Sequence, residues 1–236
     1  MKEKQIKVLN LEINIKYKKG MKNIYLRVVE EGKIIVSAPP RTPNYIIENL
    51  VKVNVESIKK KVEEMKKKEK FEYKTGSILY ILGEKYELNI EKSTENIFVI
   101  NMDKKTVNMS FLKETTQEER EEYYRQHTRK ILLDLVKNYI KNYEPVMNVM
   151  CKEVRIKKMK TRWGTCNVTK SRIWINEELI KYPLDCIEHV VVHEMVHLLE
   201  TNHTKRFYHL VETYYPKHRE SEKLLKNYAK KIGFYN

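Results

Sequence analysis

The 236-residue sequence predicts an α+β fold, with a β-rich N-terminal region over residues 1–115 followed by a mostly helical region over 116–236. Three observations predict it. Between Gln5 and Pro40 apolar and polar residues alternate, as they do in strands with one buried face. Beyond Thr115 apolar residues recur every three or four positions, the period of helices. Within that second region the stretch HEMVHLLETNH, His193 to His203, places three of the chain's seven histidines on and just past one such helix.

Taken in order, VLNLEINIKY, IYLRVV and KIIVSAP read as an antiparallel meander whose turns are signalled by Lys19-Gly20 and Glu31-Gly32. Ile46, Ile47, Leu50, Val51, Val55, Ile58 and Val62 then predict one amphipathic helix ending in a solvated lysine-rich turn. SILYILGEKYELNI predicts a hairpin about Gly83-Glu84, and NIFVIN and TVNMSF two further strands. TTQEEREEYYRQ opens a helix with a threonine N-cap and glutamates in its first turn, which Glu144-Pro145 should end. No internal repeat or Ser/Gly-rich linker is visible, so the domain boundary is placed near Thr115 and the two halves are expected to pack together. EVRIKKMKTRWGTC and RIWIN predict two strands joined by a turn over 167–171. Pro183 stops a short helix, Asp185 is placed to cap the next with Glu188 completing a capping box, and Ile187, Val190, Val191, Met195, Leu198 and Leu199 make that histidine helix mostly buried. Two amphipathic helices, TKRFYHLVETYY and ESEKLLKNYAKKI, finish the chain.

A hydrophobic fraction of 41% is ordinary for a chain that buries a core, and no apolar run approaches the ~18 residues of a membrane span. MKEKQIKVLN lacks the apolar core of a signal peptide, so a cytoplasmic protein without membrane partners is expected. Cys151, Cys166 and Cys186 form no CxxC pair, which excludes a disulfide framework and a zinc ribbon and leaves small, partly buried thiols. The formal charge of +15 would strengthen encounters with nucleic acid or acidic substrates. A chain so rich in lysine, with only Ala38 and Ala229 as alanines, also acquires a basic solvated surface through composition alone.

His193 and His197 are four apart and therefore share a helix face, where one metal ion can bridge both imidazoles. Glu194 flanks them without being a ligand, the position of a general base that takes a proton from water whose pKa a metal lowers toward ~7. A catalytic zinc typically keeps three protein ligands and one open position. His203 is the expected third, brought back by a sharp turn in which Asn202 can adopt the left-handed conformation; Glu212, Glu220 and Glu222 are the alternatives. In HExxHxxGxxH sequences a glycine makes that turn, and here Glu200 stands in its place. His127 and His218 read as surface histidines, His209 as structural or surface, and His189 as a partly buried one bonded to backbone, the one nearby histidine placed to line the cleft.

MKTRWGTCN (Met159–Asn167), RIWIN (Arg172–Asn176), VVVHEMVHLLETNHTKRF (Val190–Phe207) and Pro216, in that order, resemble the YgjP-like metallopeptidases, relatives of the WLM and SprT-like zinc proteases. GKIIVSAPP and ILGEKYEL are similar to that family's β-rich leading region. The resemblance implies one Zn2+ on His193, His197 and His203, Glu194 as catalytic acid/base, and a minimal zincin-like domain with its HExxH helix beside a small antiparallel sheet. It also gives TRWGTC a context: a strand bordering the cleft that pairs with extended substrate, with Arg162 or Trp163 shaping the pocket, Trp163 chiefly as core beneath the metal helix.

A zinc-dependent peptidase acting on proteins or peptides is the first functional expectation, with Arg162, Tyr208 or Tyr214 supporting the oxyanion. The second is a metal-dependent nucleotide hydrolase of the UTP pyrophosphatase type, which the resemblance also allows and which the cations of RIKKMKTR (Arg155–Arg162) would serve. The third is a nucleic-acid-associated module that docks through its basic surface, although no DNA-binding motif is present.

Overall fold

In the computed structural model, which describes residues 2–29, 32–67 and 71–232, the alternating N-terminal segments become strands β1 (Lys2–Val8), β2 (Leu11–Tyr17), β3 (Tyr25–Val28) and β4 (Ile34–Ala38). Leu9 and Asn10, both at positive φ, make a tight turn that splits the first predicted strand into the β1–β2 hairpin. The sheet order is β1-β2-β4-β3, with β2 and β4 parallel, so the expected meander is not formed. Burial explains the order. Ile34, Val36 and Ala38 of β4 all point into the core and take an interior position, whereas β3, with Tyr25 47% exposed, takes the edge. Gly20 has φ 81° and Gly32 φ 73°, as their turns require; Glu31 lies outside the described residues. The predicted single helix is two, α1 (Asn44–Val53) and α2 (Val55–Lys67), separated where the Asn54 side chain donates to the Leu50 carbonyl at 2.8 Å. Ile13, Ile15, Val36, Ile47 and Val51 form the centre of this core.

The chain divides into compact units at 1–71 and 72–236, ahead of the break expected near Thr115. The reason is that the second set of strands shares a core with the helices that follow it. Strands β5 (Ile78–Ile81), β6 (Glu84–Lys92), β7 (Ile97–Asn101) and β8 (Thr106–Phe111) contribute Leu88, Val107 and Met109 to the same cluster as Leu132 and Val136 of α3 (Gln117–Met147). Their order, β5-β6-β8-β7 with β6 and β8 parallel, repeats that of the first sheet, and the two-residue turn Leu82-Gly83 repeats Leu9-Asn10. An internal repeat is therefore present in the topology, contrary to the sequence reading. Leu82 and Gly83 bind the Ile180 and Lys181 carbonyls through their N–H groups at 2.7 and 3.2 Å, so the hairpin tip is fastened to the chain entering the histidine helix. A Cβ on Gly83 would meet Pro183 at 2.9 Å, and its φ of 89° also favours glycine.

Helix α3 opens with the predicted cap. The Thr116 hydroxyl accepts from the Glu119 N–H at 3.2 Å and the Glu119 carboxylate accepts from the Thr116 N–H at 2.9 Å. Thr116→Ala should lower unfolding free energy by about 1 kcal/mol, read as a shifted denaturant midpoint at unchanged slope. Pro145 lies inside the last turn, and the helix ends at left-handed Asn148 rather than at Glu144-Pro145. Arg125 and Arg129 reach from α3 to buried Glu177, at 3.1 and 2.5 Å, tying the helix to the 3-10 turn Glu177–Lys181.

A third sheet, order β10-β11-β9, contains β9 (Glu153–Lys157), β10 (Gly164–Asn167) and β11 (Arg172–Asn176). β10 and β11 are antiparallel but β11 and β9 are parallel, so the sheet is mixed, not antiparallel as expected. Residues 158–163 leave the sheet and carry the chain across to its other edge. Fully buried Asn176 holds that crossing: its amide donates to the Met159 and Arg162 carbonyls at 2.9 and 2.8 Å and accepts from the Met159 N–H at 3.3 Å. RIKKMKTR thus spans a strand end and an irregular connection instead of one strand. Helices α4 (Leu184–Val196), α5 (Lys205–Tyr214) and α6 (His218–Ile232) complete the unit. Pro183 precedes α4 without a side-chain cap, and Glu188 accepts a hydrogen bond from the Tyr143 hydroxyl at 2.9 Å, so the expected Asp185/Glu188 capping box is not formed. Among the described residues no helix is long and apolar enough to cross a membrane.

Candidate metal centre

Helix α4 runs through the core, with Ile187, Val190, Val191, Val192, Met195 and Val196 all buried, and this fixes the face on which His193 stands. His197 closes the helix in helical conformation, and the next turn is drawn tight by Leu199 N–H and Glu200 N–H bonding the Val196 carbonyl, both at 2.9 Å. The chain then reverses without a left-handed Asn202, which is absent from the positive-φ residues described. Thr204 caps α5 by accepting from the Phe207 N–H at 3.2 Å, which sets His203 just ahead of that helix.

The result is a convergence of three imidazoles. One ring nitrogen from each of His193, His197 and His203 lies within 4.8 Å of the others, and the His193 and His203 Nε2 atoms are 3.0 Å apart. Two nitrogens bound to one tetrahedral ion at about 2.0–2.1 Å would lie roughly 3.3 Å from each other, so the spacing suits a shared cation. The Glu200 carbonyl, 3.2 Å from His197 Nδ1, can only accept; it therefore holds the Nδ1 proton and leaves Nε2 bare. Burial, with the neighbouring imidazoles His197, His203 and His189 adding to it, pushes His193 down to about 3, and burial lowers His197 too. Neutral rings with free lone pairs are what a cation needs. Phe207, fully buried, touches all three rings, with centroid separations of 4.9, 4.6 and 4.6 Å, and forms the floor of the cluster. Among the described residues this is the group of His, Cys, Asp or Glu side chains close enough to hold a metal ion. Glu212 pairs instead with Arg219 at 3.3 Å and Glu222 with Lys226 at 2.7 Å, and Glu220 is not in the cluster.

Glu194 lines the same cleft, buried at 6% exposure. Burial pushes its carboxyl up to about 8, while the positive charge of Arg162 acts the other way. The cleft holds about 970 Å³ and is bordered by Arg162 and Trp163 just ahead of β10, by Gly164 at its start, and by His189 and His193 of α4. Both sequence-derived pocket residues thus line it, Trp163 also packing edge-on to Tyr182 at 4.7 Å. Tyr208 lines the cleft and Tyr214 does not.

Of the remaining histidines, His218 and His127 fall differently from expectation. His218 is buried, stacked on His189 at 6.4 Å where α6 crosses α4, because the apolar stripe of α6 turns it inward. His189 is buried in the far end of the cleft, and its Nδ1 has no hydrogen-bond partner among the described residues. His127 is stacked on Phe98 at 4.5 Å rather than free at the surface; His209 is exposed. All three cysteines are free, Cys186 buried and the others half-buried, as expected. Sequence reasoning missed Phe207 and Asn176. Phe207 could have been found, since it lies four residues past His203 on an amphipathic helix; an asparagine at a strand end carries no such signal.

A family model described as YgjP-like, metallopeptidase domain matches residues 22–228. No curated protein matches the chain. Among solved structures it is similar to the metallopeptidase zymogen abylysin of Pyrococcus abyssi, with a TM-score of 0.37 and 17% identity over 42% of this chain and 95% of that one. It is similar also to the zymogen jannalysin of Methanocaldococcus jannaschii, with a TM-score of 0.36 and 17% identity over 41% of this chain and 96% of that one.

Proposed function

Because the chain belongs to the YgjP-like metallopeptidase family, we propose that it hydrolyses peptide bonds with one zinc ion held by His193, His197 and His203 and with Glu194 as general base. The observation that carries this reading is the meeting of three imidazole nitrogens with a buried carboxyl group that is not one of them, all in one cleft. An all-imidazole donor set suits zinc, and a fourth position left to solvent suits a catalytic ion. When bound, such an ion supplies Lewis acidity, lowering the pKa of water and polarising a carbonyl.

The chain's own residues do the rest. A Glu194 carboxylate oxygen takes the proton from water and returns it to the departing amine nitrogen. Glu200 keeps the proton on His197 Nδ1 so that Nε2 stays a donor to the cation. Arg162, exposed at the cleft border and without a salt-bridge partner among the described residues, offers N–H donors to the oxygen on which charge develops. β10 is an edge strand of its sheet, and an extended peptide can add to it, which would lay the scissile bond along the cleft.

The test is to give the zinc-loaded protein an unfolded-protein and fluorogenic-peptide panel beside the nucleoside triphosphates. Peptide cleavage that is abolished by a chelator and restored by zinc is the expected result. Pyrophosphate release from UTP without peptide cleavage would replace this reading with the nucleotide hydrolase.

A further inference from the structure

We infer that Gly164 is a positioning residue for Glu194: the side chain it lacks is the space in which the Glu194 carboxyl group lies. The kinetic part of this inference rests on the peptidase reading above; the structural part does not. A Cβ at position 164 would stand 2.6 Å from Glu194 Cγ, 2.7 Å from its Oε1 and 2.9 Å from its Cδ, distances that non-bonded atoms do not adopt. Backbone conformation gives no separate reason for glycine here, since Gly164 is not among the residues at positive φ. Space is the constraint.

Neither partner is free to back away. Gly164 pairs with Ile175 of β11, which is fully buried, and the preceding residues are fastened by the Asn176 N–H to the Trp163 carbonyl and by the Asn176 amide to the Arg162 carbonyl, both at 2.8 Å. The backbone of Glu194 is fixed by the buried α4 residues on either side of it. An added methyl group at 164 would therefore displace the softest element in the contact, the terminal carboxyl group, while His193 and His197, which point from α4 toward α5, keep their places. A displacement of about 1 Å at a catalytic group can cost on the order of 10²-fold in rate.

The experiment is a double-mutant cycle on Gly164→Ala and Glu194→Ala, read by unfolding midpoint and by bound metal, with kcat and KM on a fluorogenic peptide for the wild type and Gly164→Ala. Expected are a lowered midpoint for Gly164→Ala beside Glu194, no lowering beside alanine at 194, wild-type metal content, and a kcat reduced about 10²-fold at nearly unchanged KM. If Gly164→Ala fails to fold and the double variant folds, the same conclusion holds. Equal destabilisation in both backgrounds, failure of both to fold, or Gly164→Ala with wild-type kcat would overturn it. Should the cycle show coupling while the wild type cleaves no peptide, the peptidase reading fails and the Gly164–Glu194 contact stands.

Discussion

Glu194→Gln is expected to keep the fold and the metal and to lower kcat by about 10²–10⁴-fold, the range contributed by a positioned general base. The substitution is nearly isosteric, so the amide fits the space beside Gly164 in which the carboxyl group lies. It removes the one property the reaction uses, the capacity of a carboxylate oxygen to take a proton and give it back. Burial already disfavours the charged form of Glu194, so the neutral amide should leave the unfolding midpoint unchanged or raised. Metal content by elemental analysis, the unfolding midpoint and single-turnover peptide hydrolysis separate these effects. Activity retained at full metal loading would remove Glu194 from the proton transfer.

The face that brings His193 and His197 together was legible in the sequence because it is local. A four-residue spacing on a helix puts two side chains together whatever the rest of the chain does, and the buried pattern of Ile187, Val190, Val191 and Met195 shows which way that helix faces. His203 was legible for a related reason, since only five residues separate it from His197 and the chain must reverse within them. Strand order was not legible. Alternation reports that Ile13, Ile15, Ile34 and Val36 point inward, but β4 pairs with β2 rather than lying last in a meander because of how much each strand buries, and no single segment records that comparison. The same blindness hid the second sheet's repetition of the first: what recurs is turn placement and pairing order, not residue identity. It also shifted the domain boundary, because Leu88 and Val107 show no preference in sequence for α1 or for α3 as their cover. Only the fold shows that the neighbour of Gly164 is the Glu194 carboxyl group.

Removing the third imidazole should have the second large effect. His203→Ala leaves His193 and His197 in place, and metal affinity should fall by more than the 10–100-fold that loss of a supporting outer group costs. Because His203 is exposed in the loop before α5, the metal-free variant should unfold at the wild-type midpoint. The stabilisation that bound zinc adds, which grows as RT ln(1 + [L]/Kd), should shrink: a hundredfold weaker Kd at saturating metal removes about 2.7 kcal/mol of it. Paired unfolding curves with and without zinc therefore read the ligand role without any substrate. Glu212→Gln is the matched comparison, since that carboxylate is occupied by Arg219 and should leave the zinc-dependent gain intact. If Glu212→Gln abolished the gain and His203→Ala preserved it, the third ligand would belong to α5, and the 3.0 Å approach of the His193 and His203 nitrogens would be a hydrogen bond between imidazoles instead of the mark of a shared cation.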